Sequence, residues 1–380
     1  MTPEIFEGIR PYDDNEMRMA MQKICDPEWH LARQFESVMR FVYPSKSADE
    51  VRHILLSKAT IHDLQEDVMS EMNRQIIRRT TDGLTTDGWH NIVRGRAALY
   101  ISNHRDIVLD SSFLQYELVR HGFDTTQITF GINLMQDELL REIGLMNKMF
   151  KTDRAGMGSS PKEMYAQTEL MSQYIRWCVC QNNESVWMAQ RGGRTKDGVD
   201  RTDRGIIKML RMSAPRSRMD RQRAISELTI VPVSVSYEWE TCDIEKAIET
   251  YDKRHGRPTA PRTDVSQIVS GITQPKGFVH IELCRPIDDN DLASLADLTD
   301  KEFDEAVASI IDQRIRSGYK LWTSNKTALQ MKCGDRIDST DIAKHIGEKI
   351  EQLKTMAGGR DCDELADILV GIYANPALPH

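Results

Sequence analysis

Ile101-Ser102-Asn103-His104-Arg105-Asp106-Ile107-Val108-Leu109-Asp110 follows an apolar run at 97–101 and leads into residues 111–121, which read as a helix. The run is short and sharply bounded, as a buried strand is. A strand therefore delivers an Asn-His pair to a polar corner, and a helix leaves that corner. His104 stands at the strand end with Asp106 and Asp110 two and six residues on. An imidazole held by a carboxylate is a device for taking a proton from a hydroxyl near neutral pH. Either acid could hold the ring, and Asp110, just before Ser111-Ser112, could also serve as the N-cap of the helix.

Outward from this corner the same grammar repeats. Strands are expected at 127–132, 185–189, 229–237 and 277–283, the last alternating through Val279, Ile281 and Leu283. Helices lie between them. The best signalled begins at Ser160-Pro161, carries Met171, Tyr174, Ile175 and Cys178 on one face and stops at Asn182-Asn183. Strands separated by helices predict an α/β fold with a mostly parallel central sheet. Before the sheet, Met17, Met21 and Ile24, then Phe35, Met39 and Val42, have helical spacing, and Gly83 and Gly88 read as a loop. After Pro286 the chain is acidic and helical. The expected organisation is a helical N-terminal region (1–88), an α/β core (89–290) and a helical C-terminal tail (291–380).

Three further blocks bear on chemistry. Val186-Trp187-Met188-Ala189-Gln190-Arg191-Gly192-Gly193-Arg194-Thr195-Lys196 is a strand ending in a glycine pair, where backbone can turn tightly and come close to a ligand. Arg191, Arg194 and Lys196 cluster there, so the turn reads as an anion pocket. Asn147 to Arg154 reads as another basic loop containing Phe150. Val231-Pro232-Val233 sets a proline in a β-branched run, which suggests a bulge or an edge strand.

In this order the four blocks resemble the glycerolipid acyltransferase superfamily, the glycerol-3-phosphate and lysophosphatidate acyltransferases, over roughly 85–290. The resemblance rests on His104 with Asp110, Phe150 with Arg154, Gly192-Gly193-Arg194-Thr195, and Val231-Pro232-Val233; Tyr237-Glu238 is similar to a pair in the glycerol-3-phosphate branch. The chain departs from the pattern in three places. One extra residue separates His104 from Asp110, another separates Phe150 from Arg154, and Arg191 stands where the family has glutamate. The resemblance implies that His104 is the general base, oriented by Asp110 or Asp106. Arg154 and Arg194, with Arg191, Gly192, Gly193 and Lys196 around them, would hold the anionic group of the acceptor. It implies transfer of a fatty acyl chain from acyl-CoA or acyl carrier protein to a hydroxyl of a glycerol-3-phosphate or lysophosphatidate-like acceptor, with no cofactor and no metal. Two alternatives stay open: O-acylation of an unusual anionic lipid such as an amino-acid lipid, and a non-catalytic lipid-binding relative.

Composition narrows the setting. The 380 residues are 40% apolar and 28% charged, with net charge -8, which argues against nucleic acid as the main partner. No apolar run approaches the roughly 20 residues that span a bilayer, and the N-terminus lacks the basic and apolar segments of a secretory signal. The seven cysteines are scattered without metal-ligand or redox spacing, as expected of idle thiols in a reducing cytosol. A cytoplasmic protein is expected, peripheral on the inner face of the cell membrane if its product is a lipid. Residues 204–223 hold seven cations and one acid, a candidate face for anionic lipid or acyl carrier protein.

Overall fold

A seven-stranded sheet in the order β1-β7-β6-β2-β5-β3-β4 organises the chain. Its strands are β1 (Gly83–Asp87), β2 (Leu99–Ser102), β3 (Gln127–Gly131), β4 (Met149–Thr152), β5 (Val186–Ala189), β6 (Ile230–Tyr237) and β7 (Phe278–Leu283). All pairs are parallel except β6 with β7. The α/β fold with a mostly parallel sheet is thus as the sequence predicts. The computed structural model describes residues 2–132, 134–152, 160–214, 220–258 and 264–378.

β2 and β5 are buried on both faces, which is why they read as continuous apolar runs rather than alternating ones. Leu99, Ile101, Val186 and Met188 pack against the helices Pro161–Cys180, Arg204–Met212 and Asp300–Gly318, through Tyr174, Ile175, Ile207, Phe303, Val307 and Ile311. On the other face Tyr100, Trp187, Val231 and Val233 meet Phe113, Leu114 and Leu118 of the helix Leu109–Arg120. The Ser160 signal holds: its hydroxyl accepts from Glu163 N–H, Glu163 returns the bond, and Pro161 opens the helix.

Several expectations give way. Gly83–Asp87 is an edge strand rather than a loop, so the sheet begins inside the segment assigned to the helical N-terminal region. Its residues, Gly-Leu-Thr-Thr-Asp, carry little strand signal, and register with β7 decides their state. Met149–Thr152 is likewise a strand, paired with β3, and Phe150 is fully buried against Tyr174. Pro232 lies in a central strand, between β2 and β7, and not at an edge. The ladder to β7 ends beside it: its carbonyl accepts from Cys284 N–H at 2.9 Å, and no donor is required of it there.

The C-terminal tail divides. Asp300–Gly318 lies under the sheet, whereas Thr323–Cys333, Thr340–Thr355 and Cys362–Ala374 join the helix Asp243–Arg254 around Ala247, Ala328, Leu353 and Leu369. The first of these helices changes the reading of the basic stretch. Arg211 pairs with Asp304 at 2.7 Å, and Arg221 is buried, with Asp300 at 3.0 Å and three carbonyls accepting from it. These cations are bound to the acidic tail and are not a solvated face; Arg216 and Arg218 lie outside the described residues. No helix among the described residues is long and apolar enough to cross a membrane.

Lys276, fully buried, joins two helix ends. Its Nζ donates to Thr80 Oγ1, Ile272 O and Gln274 O at 2.7–3.3 Å, where helix dipoles favour a cation. Burial nevertheless pushes its pKa down to about 8, against the pull of Asp106. The folded chain therefore holds this proton less tightly than the unfolded chain, whose lysine keeps its ordinary value of 10.5. The cost of the buried charge is fully present below about pH 8 and is relieved as pH rises toward 10.5. Unfolding titrations should show wild type gaining stability relative to Lys276→Met across that window, and a constant difference would count against a penalised ammonium.

Candidate active site

The polar corner lies at the carboxyl end of β2, between β5 and β6. The helix after β2 leads to β3 on one side, and the chain leaving β5 crosses to β6 on the other. Such reversals open a crevice at the strand ends, where open α/β sheets place their ligands. Asn103 fixes the corner. Its Oδ1 accepts from Val235 N–H at 2.8 Å and its Nδ2 donates to Val235 O at 2.9 Å, so a side-chain amide continues the pairing of β2 with β6.

His104 comes next, mostly enclosed, its Nδ1 3.0 Å from Asp110 Oδ2. The same oxygen accepts the N–H groups of Arg105 and Asp106 at 2.7 and 2.9 Å, and Asp110 Oδ1 accepts from the Tyr237 hydroxyl at 2.9 Å. Burial pushes the Asp110 carboxyl up from its ordinary value, while the bond from His104 pulls it down. An oxygen facing two backbone donors has no room for a proton of its own, so Nδ1 donates and Nε2 is the basic nitrogen. No described residue bonds Nε2. Burial and the Asp110 charge hold the Tyr237 phenol well above its ordinary value, so it stays a donor.

Asp106 does not reach the ring. Its Oδ1 accepts from Val108 N–H at 3.0 Å and Leu109 N–H at 2.9 Å, so Asp106, not Asp110, satisfies the start of the helix. This turn also absorbs the extra residue between His104 and Asp110. A second element presses on it. A Cβ added to Gly271, in the helix Asp264–Thr273, would come within 2.3 Å of Asp106 Oδ2. Alanine in a helix is ordinarily favoured over glycine by about 1 kcal/mol. Here Gly271→Ala should instead lower thermal stability and displace the His104 corner; a variant as stable and active as wild type would mean that the helix yields freely.

The glycine turn lies against this corner, tied by Thr195 N–H to His104 O at 2.7 Å. Gly193 takes φ +73°, a conformation that favours glycine, and Gly192 and Gly193 are exposed with open space around them. Arg194 is only 8% exposed: one terminal nitrogen donates to Gln267 Oε1, and the other, Nη1, has no partner among the described residues. Arg191 makes no hydrogen bond or ion pair among the described residues. Lys196 pairs with Glu249. Burial would raise that carboxyl, but Lys196 holds it below the ordinary value, so Lys196 adds little free positive charge to the turn. Arg154 lies outside the described residues.

Behind both loops is a buried network. Asp200 Oδ2 accepts from Asn103 Nδ2 at 2.9 Å and from Arg105 at 2.6 Å, and Asp200 Oδ1 accepts from Thr195 Oγ1 at 2.7 Å. Arg105, 1% exposed, also donates to Glu240 at 3.0 Å, which in turn meets Lys246 at 2.7 Å.

Residues 83–236 match the Acyltransferase family model. The matched segment runs from the first residue of β1 to the penultimate residue of β6 and contains the four blocks that resemble the glycerolipid acyltransferases. Among solved structures, the chain is similar to the crystal structure of 1-acyl-sn-glycerophosphate (LPA) acyltransferase, PlsC, from Thermotoga maritima. Identity is 11%, coverage 80% of this chain and 95% of that one, and the TM-score 0.40. No curated protein matches. The match begins at β1, the strand whose sequence reads as a loop.

Sequence reading brought His104, Asp110 and the turn at 191–196 to one place, and the structure sets them side by side. It passed over Asp200, Gln267 and Glu249, quoted Thr195 without giving it a role, and did not connect Tyr237 with Asp110. One signal was present for Tyr237. It continues the inward series Val231, Val233, Val235 with a hydroxyl, and a buried hydroxyl requires a partner.

Proposed function

We propose that this protein moves a fatty acyl chain from acyl-CoA or acyl carrier protein to a hydroxyl of a glycerol-3-phosphate or lysophosphatidate-like acceptor in membrane lipid synthesis. The observation that carries the reading is the His104–Asp110 pair, with Nε2 left for a substrate, at a strand end within the segment that matches the Acyltransferase family model. His104 Nε2 takes the acceptor hydroxyl proton as the oxygen attacks the thioester carbonyl. Collapse of the tetrahedral intermediate breaks the carbon–sulfur bond, and the imidazolium returns the proton to the leaving thiolate. The acceptor is itself the nucleophile, so the step uses no protein serine or cysteine and no cofactor besides the donor. Asp110 holds the ring and stabilises its charged form.

Arg194 supports the choice of an anionic acceptor. A buried guanidinium with one nitrogen unpaired among the described residues is costly in the free protein and suits a phosphate or carboxylate oxygen. Arg194→Ala should weaken the acceptor by roughly 1.5–3 kcal/mol, the worth of a charge-assisted bond. Kinetics would show this as a raised KM for acceptor with little change for donor, whereas equal damage to both would point to a general loss of structure. Purified protein given labelled acyl-CoA or acyl carrier protein and a panel of acceptors, amino-acid lipids included, tests the function itself. Transfer to no acceptor would leave a non-catalytic lipid-binding relative.

A further inference from the structure

We infer that Asp200 is a positioning residue that locks the general-base corner to the anion-binding turn; the inference rests on the proposed transfer and adds to it a residue that touches neither substrate. Both loops end on this one carboxylate. Asn103 and Arg105, on either side of His104, bond its Oδ2, and Thr195, next to Arg194, bonds its Oδ1. Two further direct ties join the loops, from Thr195 N–H to His104 O and from the Arg105 guanidinium to Gly198 O. A backbone bond fixes a distance, whereas a carboxylate shared by three donors from both sides fixes an orientation as well. The imidazole and the guanidinium must act on one acceptor molecule, His104 on its hydroxyl and Arg194 on its anionic group. Their mutual register therefore decides whether a bound acceptor is aligned for attack, and misplacement by about 1 Å can cost on the order of 100-fold in rate.

Arg105 makes the lock stiff. Its guanidinium is held between Asp200 and Glu240, at 2.6 and 3.0 Å, with the Gly198 carbonyl accepting at 3.3 Å. Tyr319 lies against it, ring centre to guanidinium carbon 5.1 Å. Asp200 is thus fixed from behind, and movement of either loop must break a bond to a buried charge.

Three variants test the lock: Asp200→Asn, which keeps the shape and removes the charge; Thr195→Val, which removes one hydroxyl; and the two together. Asp200→Asn should lower kcat at least tenfold and raise the acceptor KM severalfold, with the donor KM unchanged. Thr195→Val should move the same two constants in the same directions by less. The double variant should be no worse than Asp200→Asn, because residues acting as one unit are not additive. Additive losses, a donor KM that rises equally, or wild-type kinetics in Asp200→Asn would overturn the inference. A readout without turnover separates it from the proposed reaction. Inorganic phosphate should shift the His104 Cε1–H resonance in wild type and Thr195→Val, and distinctly less in Asp200→Asn. Equal shifts in all three proteins, or none in wild type, would show that the turn and the imidazole are not coupled. Absence of acyl transfer by wild type, with the phosphate effect intact, would instead count against the reaction alone.

Discussion

His104→Ala should lower acyl transfer by about 10²–10⁴-fold, the usual loss when a general base is removed, while thermal stability stays close to wild type. The ring makes one side-chain hydrogen bond, to Asp110, and Asp110 keeps three other donors after the ring is gone. Loss of activity would therefore not reflect loss of fold. Asp110→Ala is different in kind. It strands the Tyr237 hydroxyl and two backbone N–H groups in a buried place, so it should cost stability as well as rate. A His104→Ala enzyme that folds normally and turns over near the wild-type rate would make the imidazole structural and end the proposed mechanism.

The largest effect on stability should come from Arg105→Ala. Burial alone would disfavour the Arg105 charge, but Asp200 and Glu240 carry its pKa well above the ordinary value, so the cation is firmly present. Its removal leaves two carboxylates in the interior with Lys246, bonded to Glu240, as the one cation among the described residues that still meets the pair. Breaking a buried ion pair from one side costs about 3–5 kcal/mol. Arg105→Lys should recover only part of this, because a single ammonium does not reproduce the two-sided fork. Denaturant unfolding measures both, and a loss below about 1 kcal/mol for Arg105→Ala would show that water or rearranged side chains satisfy the acids.

The parts legible in the sequence were those written locally. Short apolar runs pointed to β2, β3, β5 and β6, alternation to β7, and Ser160-Pro161 to a helix start, because burial and capping are decided by neighbours in the chain. β1 and β4 were missed because their composition is ordinary and pairing partners far away in sequence decide their state. Pro232 misled for a related reason. Its tolerance depends on where β7 ends, which lies some fifty residues downstream and is invisible to a local rule. Within the site, His104 and its acids stood out by spacing, although spacing could not tell Asp106 from Asp110. Only the turn geometry does. Asp200 and Glu249 carried no signal, since a carboxylate in a polar segment looks the same whether it faces water or a buried arginine. Arg211 and Arg221 of the basic stretch were misjudged for the converse reason, their partners lying on a helix that begins at Asp300.

That helix also sets a schedule. Phe303, Val307, Ile311 and Ile315 close one face of the sheet, yet they are made well after β2, β5 and β6 have been translated. At the usual roughly 5–20 residues per second, the nascent chain waits several seconds with that face only partly covered. A message truncated soon after β6 would release a polypeptide that has its imidazole and its glycine turn but lacks the last of the three helices under its sheet, and it should aggregate more readily than the full chain.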